Sequence, residues 1–273
     1  MFDKYRFTIL GCGSSLGVPR PNGFWGTCDP NNLKNKRYRS SLLVERINKS
    51  GEKTTVVIDT GPDFRSQMID ANVNHLDAVV YTHPHADHIH GIDDLRCYAL
   101  MQECLIDIYA DAFTLEHLKK SFGYCFQTPK GFRHKPILKP HLIDQEKKFI
   151  IQGKGGEITF NPHLQVHGVI HSLGFRIGNV AYCTDVNQFP EKSLLGLMNL
   201  DVLIIDALQF QPQPNHFSVD QALHWIKYLK PKQAILTHMD SSLDYNDLLN
   251  YVPPYVKPAY QGLTFETNVP LID

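Results

Sequence analysis

The densest chemistry in the chain lies in Tyr81-Thr82-His83-Pro84-His85-Ala86-Asp87-His88, where three imidazoles and a carboxylate fall within six positions, directly after the apolar run Ala78-Val79-Val80-Tyr81. Imidazole nitrogen suits zinc and also manganese, iron and nickel, and a carboxylate adds a charged oxygen ligand. In an extended turn His83 and His85 point the same way, with Asp87 and His88 just beyond, so each pair can grip one of two neighbouring ions. The competing reading is a histidine cluster on a solvated loop. The full His-x-His-x-Asp-His order behind a strand argues against it.

Three more candidate ligands share one position, a polar residue at the carboxyl end of an apolar strand. Val166 precedes His167, Tyr182-Cys183-Thr184 precedes Asp185, and Ala234-Ile235-Leu236-Thr237 precedes His238. If strand carboxyl ends gather on one rim, these side chains meet the cluster after Tyr81 and complete two coordination spheres.

Hydrophobic periodicity locates the elements that must do this positioning. Residues 7–10 read as a strand ending in Gly11-Cys12-Gly13-Ser14-Ser15-Leu16-Gly17, and no Gly-Lys-Ser/Thr follows to make it a nucleotide loop. Residues 40–45 and 54–59 read as a hairpin turning at Asn48-Lys49-Ser50-Gly51, and Pro62 opens a helix with Phe64, Met68 and Ile69 at core spacing. Residues 78–81 form a short buried strand, a helix follows from Gly91, and residues 105–109 are a strand. Asp111 caps a helix carrying Phe113, Leu115, Leu118 and Phe122. Residues 127–152, with His134 and His141, read as a loop with short strands, able to act as a lid.

The second half repeats strand-then-helix logic. Residues 158–160, 164–166, 173–177 and 180–183 read as antiparallel strands and 201–206 as a buried one. Ser218-Val219-Asp220-Gln221 is a capping box, residues 233–237 are a strand, and 243–251 a last helix. Strands in two groups with helices over both outer faces predict an α/β fold, an αββα sandwich, as one domain over residues 1–273.

Composition bounds the function. A chain of 273 residues, 42% hydrophobic and 20% charged, can bury a sizeable core. No run approaches the roughly 18 apolar residues of a membrane span, and no charged-then-apolar leader opens the chain, which predicts a cytoplasmic protein with no membrane partner. Six cysteines without a Cys-x-x-Cys pair indicate no disulfide framework. A net charge of -1 argues against an extended nucleic-acid partner. The local exception is Lys34-Asn35-Lys36-Arg37-Tyr38-Arg39, from which Arg39 is the candidate for holding a substrate phosphate.

Asp59-Thr60-Gly61, His83-x-His85-x-Asp87-His88, His167, Asp185 and His238 resemble the five ordered motifs of the metallo-β-lactamase superfamily of metal-dependent hydrolases. The resemblance spans nearly the whole chain. Within the superfamily the sequence is most similar to phosphodiesterases that act on phosphoribosyl cyclic phosphate. That similarity runs through Gly11-Cys12-Gly13 with Val18-Pro19, Arg39-Ser40-Ser41, His90-Gly91-Ile92-Asp93-Asp94-Leu95-Arg96 and Leu236-Thr237-His238. The resemblance implies two divalent ions, zinc or manganese first, with iron or nickel admissible. One would be held by His83, His85 and His167, the other by Asp87, His88 and His238, with Asp185 bridging. Two such ions can share a hydroxide that attacks a phosphoryl group. Asp59 is implied as a carboxylate orienting a ligand, and His216 as the proton donor to the leaving group. Asp87 is expected to serve catalysis as well as binding. His90, His171 and His224 are read as supporting or loop residues.

The expected activity is therefore phosphodiester hydrolysis on a small cyclic or nucleotide-like ester, with a homodimer left open. The rivals are transfer-RNA 3′ processing, for which the 18 positions between His167 and Asp185 leave no RNA-gripping arm, and lactone or thioester hydrolysis. The phosphonate-pathway enzymes are expected to hold a structural zinc. With Cys28 alone in the early loop and Ser241 after the last motif, none is predicted here.

Overall fold

The computed structural model describes residues 3–131, 133 and 135–269. The strands are β1 (Lys4–Gly11), β2 (Ser41–Ile47), β3 (Lys53–Ile58), β4 (Ala78–Val80), β5 (Ile106–Ala110), β6 (Leu138–Leu142), β7 (Phe149–Ile151), β8 (Ile158–His167), β9 (Ile170–Ile177), β10 (Val180–Cys183), β11 (Val202–Asp206), β12 (Gln233–Thr237), β13 (Val256–Pro258) and β14 (Thr264–Asn268). The helices are α1 (Phe64–Asp70), α2 (Ala86–Ile89), α3 (Leu95–Gln102), α4 (Ala112–Ser121), α5 (Gly123–Phe126), α6 (Glu191–Leu194), α7 (Val219–Leu229) and α8 (Tyr245–Tyr251).

Two seven-stranded sheets run β14-β1-β2-β3-β4-β5-β6 and β13-β12-β11-β10-β9-β8-β7. Each is antiparallel at one end and parallel at the other, the change falling at β3 in the first and at β10 in the second. Alternation along β3 shows the layering. Val56 and Ile58 enter the core between the sheets, where they join Phe160 and Phe175, while Val57 faces the helices. On that outer side Phe64, Met68, Leu95, Tyr98, Leu115 and Leu118 cover the first sheet. Val219, Ala222, Ile226 and Leu229 of α7, with Leu248 of α8, join the core of the second sheet. Ala78-Val79-Val80, Val202–Ile205 and Ala234–Leu236 are covered on both faces, which is why they read as unbroken apolar runs. This is the αββα sandwich.

Several local expectations need correcting. Residues 158–160 and 164–166 belong to one continuous strand, β8, because Pro162 is accommodated within the ladder to β9. Ile69 and Phe113 sit at core spacing but are 61% and 43% exposed, since each helix presents only a narrow stripe to the sheet. As expected, the segment 127–152 is loop with two short strands, β6 and β7, each at one edge of a sheet; His134 lies outside the described residues. His171 stands exposed on β9, not in a loop. No helix among the described residues is long and apolar enough to cross a membrane.

One buried cation fastens the loop after β1 to the loop after β12. Arg37, 1% exposed, donates through Nη1 to the Asp240 carbonyl at 2.9 Å and through Nη2 to the Leu243 carbonyl at 2.6 Å. Beside it the Cys28 thiol donates to the carbonyls of Ser241 and Leu243, and Asn35 Nδ2 donates to Asp244 Oδ2. These bonds hold the chain just before Ser40 and just after His238. Arg37→Ala should lower the free energy of unfolding by about 3 kcal/mol, because two carbonyls lose charge-assisted partners in a dry site. Denaturant titration checks this, and an unchanged midpoint would show that the clasp carries no stability.

Candidate metal centre

The predicted ligands converge on one rim. His83 follows β4, His85 precedes α2, Asp87 and His88 lie on α2, His167 ends β8, Asp185 follows β10 and His238 follows β12. Their donor atoms form two groups. His83, His85, His167 and Asp185 make one, and Asp87, His88, Asp185 and His238 the other, each within 4.8 Å internally. In the first, His85 Nδ1 lies 3.0 Å from His83 Nε2 and 3.1 Å from His167 Nε2, and Asp185 Oδ2 lies 3.7 Å from each of those Nε2 atoms. In the second, His88 Nε2 is 3.3 Å from Asp87 Oδ2 and 3.2 Å from Asp185 Oδ1, which is itself 3.2 Å from His238 Nδ1. A tetrahedral shell with metal–nitrogen bonds of about 2.0–2.1 Å has ligand–ligand edges of about 3.3 Å, so the spacing fits a divalent ion in each group.

Hydrogen bonds behind the ligands decide which nitrogen faces inward. Thr82 Oγ1 donates to Asp59 Oδ2 at 2.8 Å and so accepts from His83 Nδ1 at 2.9 Å. His88 Nδ1 donates to Asp59 Oδ2 at 2.7 Å, and His167 Nδ1 donates to the Asn215 carbonyl at 2.7 Å. All three rings therefore aim an Nε2 lone pair at the centre. His88 Nε2 is buried and has no hydrogen-bond partner, although two carboxylate oxygens stand beside it. A lone pair facing two anions is repulsive unless a cation lies between them, and a divalent ion there removes the conflict.

Electrostatics agree with that donor set. Burial above all pushes His83 well below the usual imidazole value and lowers His85 and His167, while His238 falls to about 4, so these rings are neutral donors. Burial opposes charge on His88 too, but Asp185, Asp87 and Asp59 outweigh it and raise it well above the usual value. The field that draws a proton there is the field that draws a metal ion. Burial would raise Asp185, yet His238, His88 and His83 hold it well below the ordinary carboxylate range.

Three of the residues at the rim adopt left-handed backbone: Asp59 at φ 66°, Asp185 at φ 51° and His238 at φ 59°. Each leaves a strand and turns sharply there. Non-glycine residues in this region cost about 1–3 kcal/mol each, and Asp and His tolerate it better than most. Gly61 serves the same end, since a Cβ there would collide with the Asp87 carbonyl.

The remaining predicted residues divide. His216 joins the centre, its ring stacked on His238 at 4.7 Å between centroids and set edge-on to His167 at 4.7 Å. Arg39 lies beside Ser40, whose Oγ is 3.2 Å from His238 Nδ1, and its Nε is 3.0 Å from Asp63 Oδ2. His90 is exposed against Phe122, and His224 is exposed beside Trp225, so neither joins the centre. Sequence reasoning overlooked Asp206, which is fully buried and accepts from His216 Nδ1 at 2.8 Å through Oδ2. The signal was present, because Asp206 ends the apolar run Val202-Leu203-Ile204-Ile205 just as the ligands end theirs. Thr82 and Asn215 were also overlooked, the second because only its carbonyl acts.

Fold and site together define a metal-dependent hydrolase of the metallo-β-lactamase type. The profile of the beta-lactamase superfamily domain matches residues 54–239, and the chain belongs to that family. It is related to the PhnP family: a solved structure described as a new diphosphatase of that family is 32% identical, with a TM-score of 0.84 over 99% of this chain and 100% of that one. The protein YhfI of Bacillus subtilis, at 18% identity, superposes with a TM-score of 0.73 over 97% of this chain and 100% of its own. The short form of human tRNase Z, at 16%, superposes with a TM-score of 0.66 over 97% and 100%. These two share the fold. A curated relative from Porphyromonas gingivalis (strain ATCC BAA-308 / W83), named octanoyltransferase, is 30% identical over 260 residues, which are 94% of this chain. The chain spans about half the length of that relative, 51%.

Asp185→Asn should leave fewer than two ions per chain by elemental analysis, and retention of both would exclude a bridge. Asp59→Ala should weaken metal affinity about 10–100-fold by freeing His88, as measured by competition with a chelator.

Proposed function

We propose that this protein is a binuclear phosphodiesterase that hydrolyses a small cyclic or nucleotide-like phosphate ester. The observation that carries the reading is the His216–Asp206 pair standing beside two ligand groups that share one carboxylate. Acyl transfer to water can proceed at such ions without a separate proton donor, whereas a poor alkoxide leaving group at phosphorus benefits from one.

His83, His85, His167 and Asp185 would hold one ion, and Asp87, His88, His238 and Asp185 the other. When bound, two such ions acidify water enough for attack near neutral pH and neutralise phosphoryl charge. The protein's own residues do the rest. Asp59, Thr82 and the Asn215 carbonyl keep His88, His83 and His167 in the tautomer that binds metal. His216 gives its proton to the oxygen that leaves phosphorus. Burial opposes charge on that ring, but Asp206 outweighs it and raises His216 to about 9, so a proton is available at neutral pH. Because Asp206 takes the Nδ1 proton, Nε2 is the nitrogen left to face substrate.

Support for phosphate chemistry comes from the 32% identical diphosphatase, and for a small substrate from the tight hairpin between His167 and β9, which extends no arm over the rim. A second reading, hydrolysis of an acyl ester or thioester, is favoured by the octanoyltransferase name of the longer relative. A screen of cyclic and linear phosphodiesters alongside an octanoyl thioester, with the metal-loaded protein, separates the two. The phosphodiesters should turn over, and preference for the thioester would overturn the first reading. His216→Ala should lower kcat about 10²–10⁴-fold with two ions retained, and Asp206→Asn should lower it less with KM little changed. Full turnover by the His216 variant would remove that residue from the reaction.

A further inference from the structure

Three polar side chains behind Asp185 take no part in the ligand groups and are nonetheless buried: Gln165 on β8, Ser172 on β9 and Thr184 just past β10. An amide or hydroxyl is unfavourable away from water unless it is bonded, so packing does not account for them. The fold also makes room for Gln165. A Cβ at Gly174 would lie 2.3 Å from Gln165 Oε1, so only glycine fits beside it. That oxygen has no hydrogen-bond partner among the described residues, while Nε2 has two. Turning the amide over would set its oxygen against a carbonyl, so the orientation serves the donors and leaves the acceptor bare.

What these groups bind is the main chain on both sides of Asp185. The ladder of β10 to β9 ends at Tyr182 and that to β11 at Cys183, so residues 184–186 belong to neither. Gln165 Nε2 donates to the Thr184 carbonyl at 2.9 Å and to Ser172 Oγ at 2.9 Å, and Ser172 Oγ in turn donates to the Asp185 carbonyl at 2.7 Å. Val186 N–H donates to Asp206 Oδ2 at 3.0 Å. Both peptide groups that flank Asp185 are therefore gripped by buried side chains. Between them Asp185 sits at φ 51°, a conformation that a non-glycine residue keeps only where its surroundings over-determine it. Thr184 Oγ1 reaches the carboxylate itself, donating to Oδ1 at 2.6 Å, and Oδ1 is the oxygen that faces His88 and His238. One residue past Ser172, Leu173 N–H donates to the carbonyl of Thr82, whose hydroxyl bonds His83 Nδ1, so β9 fastens the Asp185 turn of one sheet and the His83 turn of the other.

We propose that Gln165, Ser172 and Thr184 are positioning residues for the carboxylate shared by the two ligand groups. Gln165 and Ser172 hold the flanking peptides in the left-handed turn. Thr184 sets the rotation of the carboxylate, so that Oδ1 faces His88 and His238 while Oδ2 faces His83 and His167. This rests on the reading of Asp185 as the ligand common to both ions, and it is independent of which ester the protein hydrolyses. Removing any of the three leaves the seven candidate ligands in place and loosens the one that both groups need.

The test withdraws zinc with a graded chelator from the zinc-loaded wild type and from Gln165→Leu, Thr184→Val and Thr184→Ser, with circular dichroism to show that each variant is folded. Wild type should hold two zinc ions per chain. Gln165→Leu, which removes the amide, and Thr184→Val, which keeps the shape and removes the hydroxyl, should hold zinc about 10–100-fold more weakly. Thr184→Ser, which returns the hydroxyl, should recover most of that loss. Folded Gln165→Leu and Thr184→Val proteins that both keep wild-type zinc affinity would make the network a structural feature and overturn the proposal alone. Should Gln165→Leu not fold, the Thr184 pair decides by the same rule. Fewer than two ions on the wild type would overturn the reading of Asp185 as a shared ligand, and the proposal with it.

Discussion

A carboxylate 1% exposed must meet positive charge, and the structure depends on how Asp185 meets it. Taking an ion out of water costs several kcal/mol even after relaxation. Four imidazole nitrogens stand within 3.2–3.7 Å of its two oxygens, His83 and His167 at Oδ2, His88 and His238 at Oδ1. Those rings offset part of that cost by holding Asp185 ionised, and cations between them and the carboxylate would offset the rest. One anion with an oxygen in each group makes two sites out of one, and the rest of the centre is arranged around that sharing.

The sandwich contributes by ending its strands in one place. β3, β4, β8, β10, β11 and β12 all deliver a chemical group at or just past their last residue. A strand alternates its side chains between two faces, both already committed to core, so a residue that must point along the rim has to leave the extended conformation. The left-handed turns at Asp59, Asp185 and His238 do this. Their cost is local, and it is met by burial in two large apolar cores and by the Arg37 clasp that fixes the loop beyond His238. Behind the candidate ligands Asp59 and Thr82 hydrogen-bond the Nδ1 atoms of His88 and His83, and beside them Asp206 does the same for His216.

Much of this was legible in the chain before folding. The histidine cluster behind Tyr81, the strand-end pattern at His167, Asp185 and His238, and the capping box at Ser218 each carry a local signature, and each forms as expected. Ile69 and Phe113 misled because periodicity marks a helix face without saying how wide the covered stripe will be. Residues 127–152 read as loop with short strands, and β6 and β7 are such strands, short and polar as sheet edges tend to be. Asp206 carries no signal beyond its place at a strand end, since a buried carboxylate declares its role only through its partner, and His216 stands 10 residues away.

The order of the motifs, the types of the donors and the alternation of apolar strands were set in the sequence by itself, because ligand chemistry and hydrophobic period are properties of neighbours along the chain. Only the tertiary structure decided that Asp206 is the partner of His216, and that Arg37 is internal, its guanidinium held by the carbonyls of Asp240 and Leu243. Those are contacts between segments distant in sequence. Their energies arise from exclusion of water and from angles between side chains that no spacing along the polymer encodes.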